Sequence, residues 1–316
     1  MRKTDNGLAL IFPGQGSQSL GMLRELASQH PEVGQTFRIA SDVLGYDLWR
    51  LVAEGPVEQL NLTEHTQPAM LAAGVAAFRV WGQAAKIGPG WMAGHSLGEY
   101  SALVCAGAID FADAVGLVAE RARLMQGAVD AGTGAMAAIL GLDDAKVVEV
   151  CADISTEENV VTPANFNSPG QIVIAGHAEA VSLAIDALKK EGAKRAVLLP
   201  VSVPSHCPLM AEAALKFRET LANITFREFN LPVIHNADVA SHLSADAVRS
   251  ALERQLSSPV RWSDTIRFLH GQGVRRFIEC GPGKVLAGLN KRIVADALTE
   301  AVFDPDSLNK ALEMLK

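Results

Sequence analysis

Apolar residues along this chain fall alternately into short continuous runs and longer stretches with helical spacing. Residues 8–12 form an apolar run of strand length. Helical spacing then recurs over 22–28, 33–44, 48–52, 57–60 and 67–86, with Pro31, Gly45, Gly55 and Pro56 in the interruptions. Trp91-Met92-Ala93 is a second short run, led in by Gly88-Pro89-Gly90. Residues 97–106 then read as helix up to Gly107, and 111–129 as an amphipathic helix.

At Asp130-Ala131-Gly132-Thr133-Gly134 the texture changes and the periods switch faster. The pattern predicts strands over 136–140, 160–166, 171–175 and 195–199, and helices over 145–152 and 178–191. Asn167-Ser168-Pro169-Gly170 reads as a hairpin turn. The order β-α-β-β-α-β is that of a ferredoxin-like fold, here inserted into a larger α/β domain. Residues 131–200 are expected to form the small domain, and 1–130 with 201–316 the large one. The last third continues with strands over 231–235 and 276–280 and helices over 245–255, 263–271 and 285–295.

A length of 316 residues leaves room for one large core or two domains. The net charge of −7 argues against a nucleic-acid partner. Cys105, Cys151, Cys207 and Cys280 are scattered, as reduced thiols of a cytosolic protein are. The first apolar run is too short for a signal-peptide core, and residues 70–78 are far short of a membrane span. A cytoplasmic protein without membrane association is expected. No His, Cys or Asp cluster has metal-ligand spacing, so no metal is expected.

Gly94-His95-Ser96-Leu97-Gly98 reads Gly-x-Ser-x-Gly between a strand and a helix. It fits a nucleophile elbow, where Ser96 is lifted above a sheet, or a tight turn whose serine caps the helix. Pro13-Gly14-Gln15-Gly16-Ser17-Gln18 fails the dinucleotide spacing, because Ser19 stands where the third glycine belongs. Such a loop can instead bring backbone N–H groups to a ligand oxygen. Gly281-Pro282-Gly283-Lys284-Val285 fails the phosphate-loop spacing at Ile278 and Val285 and reads as a turn. His206 lies between Pro204 and Pro208 on a loop after a strand, and becomes the candidate base if Ser96 is a nucleophile. Arg121, within a helix, reads on its own as a solvated residue.

These blocks together resemble the malonyl-CoA:acyl carrier protein transacylases of bacterial fatty acid synthesis. The resemblance is carried by residues 12–18 and 94–100, Arg121 with Met125-Gln126, Gly134-Ala135-Met136 and the run Asn165 to Gln171. Val203-Pro204-Ser205-His206, Gln255-Leu256 and Gly281-Pro282-Gly283-Lys284 complete it. It implies a large α/β-hydrolase-like domain carrying the small ferredoxin-like one, with the active site between them. By resemblance, Ser96 is the nucleophile, His206 its base, and the backbone carbonyl of Gln255 orients the imidazole. The N–H groups of Gln15 and Leu97 form the oxyanion hole, and Arg121 binds the malonyl carboxylate. Malonyl-CoA is the donor and an acidic acyl carrier protein the acceptor, with no cofactor and a monomer expected. Lys189, Lys190, Lys194, Arg195, Lys284, Lys291 and Arg292 are candidates for a docking patch. Two other classes stay open: a serine hydrolase or thioesterase using the same Ser-His pair, and a non-catalytic carrier-binding module.

Overall fold

A computed structural model of the chain describes residues 3–130, 132–201, 203–229 and 231–316. Met1 and Arg2, Ala131 at the start of the expected insert, and Ser202 on the loop leading to His206 lie outside the described residues. The strands are β1 (Lys3–Phe12), β2 (Ile87–Gly94), β3 (Gly134–Leu140), β4 (Val161–Ser168), β5 (Gln171–His177), β6 (Arg195–Leu198), β7 (Val233–Ile234), β8 (Arg276–Cys280) and β9 (Leu298–Val302).

Five strands form a parallel sheet of order β7-β2-β1-β8-β9. Residues Leu8 to Phe12 are fully buried, as a central parallel strand covered on both faces must be. Alternation along β1 sorts them: Leu8, Leu10 and Phe12 join one apolar cluster, Ala9 and Ile11 another. The first cluster includes Leu71, Val75 and Trp81 of helix Thr63–Ala84 and Val115 and Val118 of helix Phe111–Gln126. The second includes Trp262 and Ile266 of helix Trp262–Gly271, with Leu286 and Leu289 of helix Val285–Ile293.

The other four strands make an antiparallel sheet of order β4-β5-β3-β6. Ile139, Ile172 and Ile174 pack there against Val147 of helix Asp144–Ile154 and Val181 and Leu188 of helix Ala178–Lys190. A parallel bridge between Asn165 and Val260 ties this sheet to the rest of the molecule. The Phe166 N–H donates to the Val260 carbonyl at 2.9 Å, and the Val260 N–H to the Ala164 carbonyl at 2.9 Å.

Several element bounds differ from the pattern-based expectation. The helix expected over 67–86 starts at Thr63, one turn earlier, with Pro68 inside it. Pro68 is the sixth residue of this helix and has no N–H to give the Glu64 carbonyl, yet the helix runs through it, so proline is a poor boundary marker here. The strand expected over 231–235 shrinks to Val233–Ile234, at the edge of the sheet. Helices Ala211–Ala222 and Pro305–Glu313 and strand β9 were not anticipated. No described helix is long and apolar enough to cross a membrane.

Candidate active site

The C-terminal ends of β1, β2 and β8 carry the loops that build the site, where open α/β sheets place their ligands. β2 ends at Gly94, helix Gly98–Cys105 starts four residues later, and Ser96 between them has φ of 50°. Left-handed backbone at a serine is strained and must be held by its surroundings. A Cβ on Gly98 would overlap the Phe12 carbonyl oxygen, and one on Gly94 would overlap the Gly98 carbonyl. A Cβ on Gly14 would overlap the His95 carbonyl oxygen, so the 13–18 loop lies directly against the elbow. Asn236 pins the turn: its Oδ1 accepts the Ser96 N–H at 2.7 Å, and its Nδ2 donates to the Gly94 carbonyl at 2.7 Å.

His206, itself at φ of 63°, comes from the loop after β6. Its Nδ1 donates to the Gln255 carbonyl oxygen at 2.8 Å. Since a carbonyl can only accept, Nε2 is left with its lone pair facing Ser96 Oγ at 2.7 Å. Ser96 therefore donates to a neutral imidazole whose orientation is set by a backbone dipole rather than by a carboxylate. Burial, and then the Arg121 cation, push the His206 pKa from 6.5 down to about 3.

Arg121, in helix Phe111–Gln126, is 1% exposed and points inward. Its Nη1 donates to Gln67 Oε1 at 2.7 Å, and its Nη2 to Gln255 Oε1 at 3.0 Å and Ser96 Oγ at 3.2 Å. The Tyr100 ring lies 5.3 Å from the guanidinium carbon, within cation–π range. Burial lowers the guanidinium from its ordinary value, with Tyr100 and Glu99 opposing the shift.

A cavity of about 230 Å³ opens over Ser96. Gln15, Ser96, Leu97, Arg121 and His206 line it, with Met136 and Val173 from the antiparallel sheet on the other wall. Neither the Gln15 nor the Leu97 backbone N–H has an acceptor among the described residues. His95 turns away from the serine, its Nε2 donating to Asn167 Oδ1 at 2.8 Å. Ser96, His206, Gln15, Leu97, Arg121 and Gln255 thus lie close together around the Ser96 hydroxyl. Sequence reasoning missed Gln67 and Asn236, and gave no role to Glu99 or His235. Asn236 directly follows the expected strand 231–235, a strand-end position that was the available signal.

The arrangement sets a serine hydroxyl against a neutral imidazole, beside two backbone N–H groups without an acceptor among the described residues and a buried cation, and such groups can together serve acyl transfer with an anionic substrate. The model of the acyl transferase domain family matches residues 9–302. The chain belongs to this family. The malonyl CoA-acyl carrier protein transacylase of Escherichia coli (strain K12) is 56% identical to this acyltransferase over 306 residues, covering 97% of this chain and 99% of that protein. Its counterpart in Bacillus subtilis (strain 168) is 45% identical, over 98% of this chain and 97% of that protein. Among solved structures, the transacylase of Coxiella burnetii has a TM-score of 0.96 at 49% identity, covering 100% of this chain and 98% of that one. A malonyl-transacylase in complex with a type II polyketide synthase acyl-carrier protein has a TM-score of 0.95 at 56% identity, over 97% of this chain and 99% of that one.

Proposed function

We propose that this acyltransferase carries the malonyl group of malonyl-CoA to the phosphopantetheine thiol of acyl carrier protein, in fatty acid biosynthesis. The observation that carries the reading is the buried Arg121 guanidinium, 3.2 Å from the Ser96 hydroxyl. A malonyl ester on that oxygen would place its free carboxylate within reach of the cation, as a bidentate partner. An acetyl ester would leave the same buried charge unpaired.

His206 takes the Ser96 proton as Oγ attacks the thioester carbonyl. The N–H groups of Gln15 and Leu97 receive the oxyanion, each such donor being worth about 10²–10³ in rate. Collapse of the tetrahedral intermediate breaks the C–S bond, and the CoA sulfur leaves with the proton held by His206. In the second half the pantetheine thiol gives its proton to His206, its sulfur attacks the ester, and Ser96 regains the proton. No cofactor or metal enters this scheme, since the thioester already activates the acyl group.

The strand order β4-β5-β3-β6, with both its helices in one apolar cluster, supports reading residues 131–200 as a ferredoxin-like insert. The parallel sheet and elbow support an α/β-hydrolase-like domain formed by 1–130 and 201–316. Four free cysteines support a cytoplasmic location. The test is transfer itself: with malonyl-CoA and holo acyl carrier protein, the protein should form malonyl carrier protein, and Ser96→Ala should not. Free malonate as the main product would instead mark a hydrolase.

A further inference from the structure

Glu99 sits one turn past the elbow serine, is fully buried and does not line the cavity. Its carboxylate accepts three N–H groups brought together from elsewhere in the chain. Oε1 takes His235 Nδ1 at 2.7 Å, and Oε2 takes the Asn236 backbone N–H at 2.9 Å and Gln255 Nε2 at 2.8 Å. The other N–H of the Gln255 amide donates to the Ser96 carbonyl at 3.0 Å. With both amide protons claimed by acceptors, Gln255 Oε1 must face the opposite way, where it accepts Arg121 Nη2 at 3.0 Å. A flipped amide would set its oxygen against a carboxylate and a carbonyl, and its NH₂ against a cation.

We propose that Glu99 is a positioning residue that locks the Gln255 amide so that Arg121 is held toward the acyl unit on Ser96. Glu99 thereby sets the preference for malonyl over acetyl, an inference that rests on the function proposed above. The same carboxylate secures the Asn236 backbone, whose side chain pins Ser96 and Gly94. Substitution by glutamine keeps the geometry available. The amide oxygen in Glu99→Gln can still accept from Asn236 and Gln255 while its NH₂ donates to His235 Nδ1. The ring proton of His235 then moves to Nε2, which has no partner among the described residues.

The test is the ratio of Ser96 acylation rates with malonyl-CoA and acetyl-CoA, followed by intact mass. Glu99→Ala should lower that ratio by about tenfold or more, and Glu99→Gln should keep it within about threefold of wild type. Equal loss with both donors in Glu99→Ala would show a scaffold role only and overturn the inference. So would an unchanged ratio, or a fall in Glu99→Gln as large as in Glu99→Ala. If Glu99→Ala does not fold, Gln255→Met carries the test by removing the amide while leaving Glu99 its other two donors. It should lower the ratio by a similar factor, and an unchanged ratio would overturn the inference. Wild-type protein that malonyl-CoA fails to acylate would overturn the proposed function, and this inference with it.

Discussion

The Arg121 guanidinium reaches to 3.2 Å from the Ser96 hydroxyl oxygen, inside the helix-packed core rather than at a solvent edge. A cation in that position bears on both Ser96 and His206. It discourages protonation of His206, and on the function proposed above it would disfavour an acyl chain on Ser96 that left the charge unpaired.

The first consequence is in the pH dependence. Burial and Arg121 hold His206 at about 3, so its ring stays neutral from pH 8 down to about 5. Single-turnover acylation by malonyl-CoA should therefore show no acid limb near 6.5, and His206→Ala should slow it by about 10²–10⁴. The unfolded chain protonates this histidine near 6.5 and the folded one only near about 3, so the denatured state binds more protons between them. The stability due to the neutral ring is complete above 6.5 and is lost as pH falls toward about 3. An acylation limb at pH 6–7 that vanishes in His206→Ala would contradict this.

Glu279 behaves in the opposite sense. Its buried carboxylate accepts the N–H groups of Leu286 at 3.1 Å and Ala287 at 2.8 Å, yet burial raises it from 4.5 to about 7. The folded state keeps its proton to higher pH than the unfolded state, so this stability is present below 4.5 and lost as pH rises through about 7. Glu279→Gln resembles the protonated form. Its Tm relative to wild type should become more positive from pH 5 to pH 8, whereas a constant offset would exclude the assignment.

Glycine is required at position 98 but not at position 34. In Gly98→Ala the new Cβ meets the Phe12 carbonyl oxygen, backbone that cannot swing aside. Overpacking of about 1–3 kcal/mol or more is expected, together with lost acylation. Gly34, in helix Pro31–Leu44, has open space at its Cβ, and Gly34→Ala should stabilise by about 0.5–1 kcal/mol. Thermal unfolding of the two variants gives the comparison. Similar shifts in both would refute the elbow packing described here.

Much of this was legible in the sequence because it is local. The two glycines around Ser96 and the fast alternation of residues 131–200 can be read from neighbours alone. The short weak strand β9 and the narrowed β7 could not, because their state depends on the sheet they join rather than on their own pattern. The same limit hid half of the site. Glu99 meets His235, Asn236 and Gln255 across 136 to 156 residues of chain, and Gln67 meets Arg121 across 54. A glutamine or glutamate looks solvated in a sequence until folding brings a charge against it. Arg121 shows this directly, since its helix position alone reads as surface.

The sharpest test of the account compares acylation of Ser96 by malonyl-CoA and acetyl-CoA in wild type and Arg121→Ala. Two charge-assisted hydrogen bonds at about 1.5–3 kcal/mol each predict a loss of malonyl acylation of about 10²-fold or more, while acetyl acylation is kept or rises. If both acyl groups instead slow by the same factor, Arg121 is only part of the scaffold, and the carboxylate grip at the centre of this account is wrong.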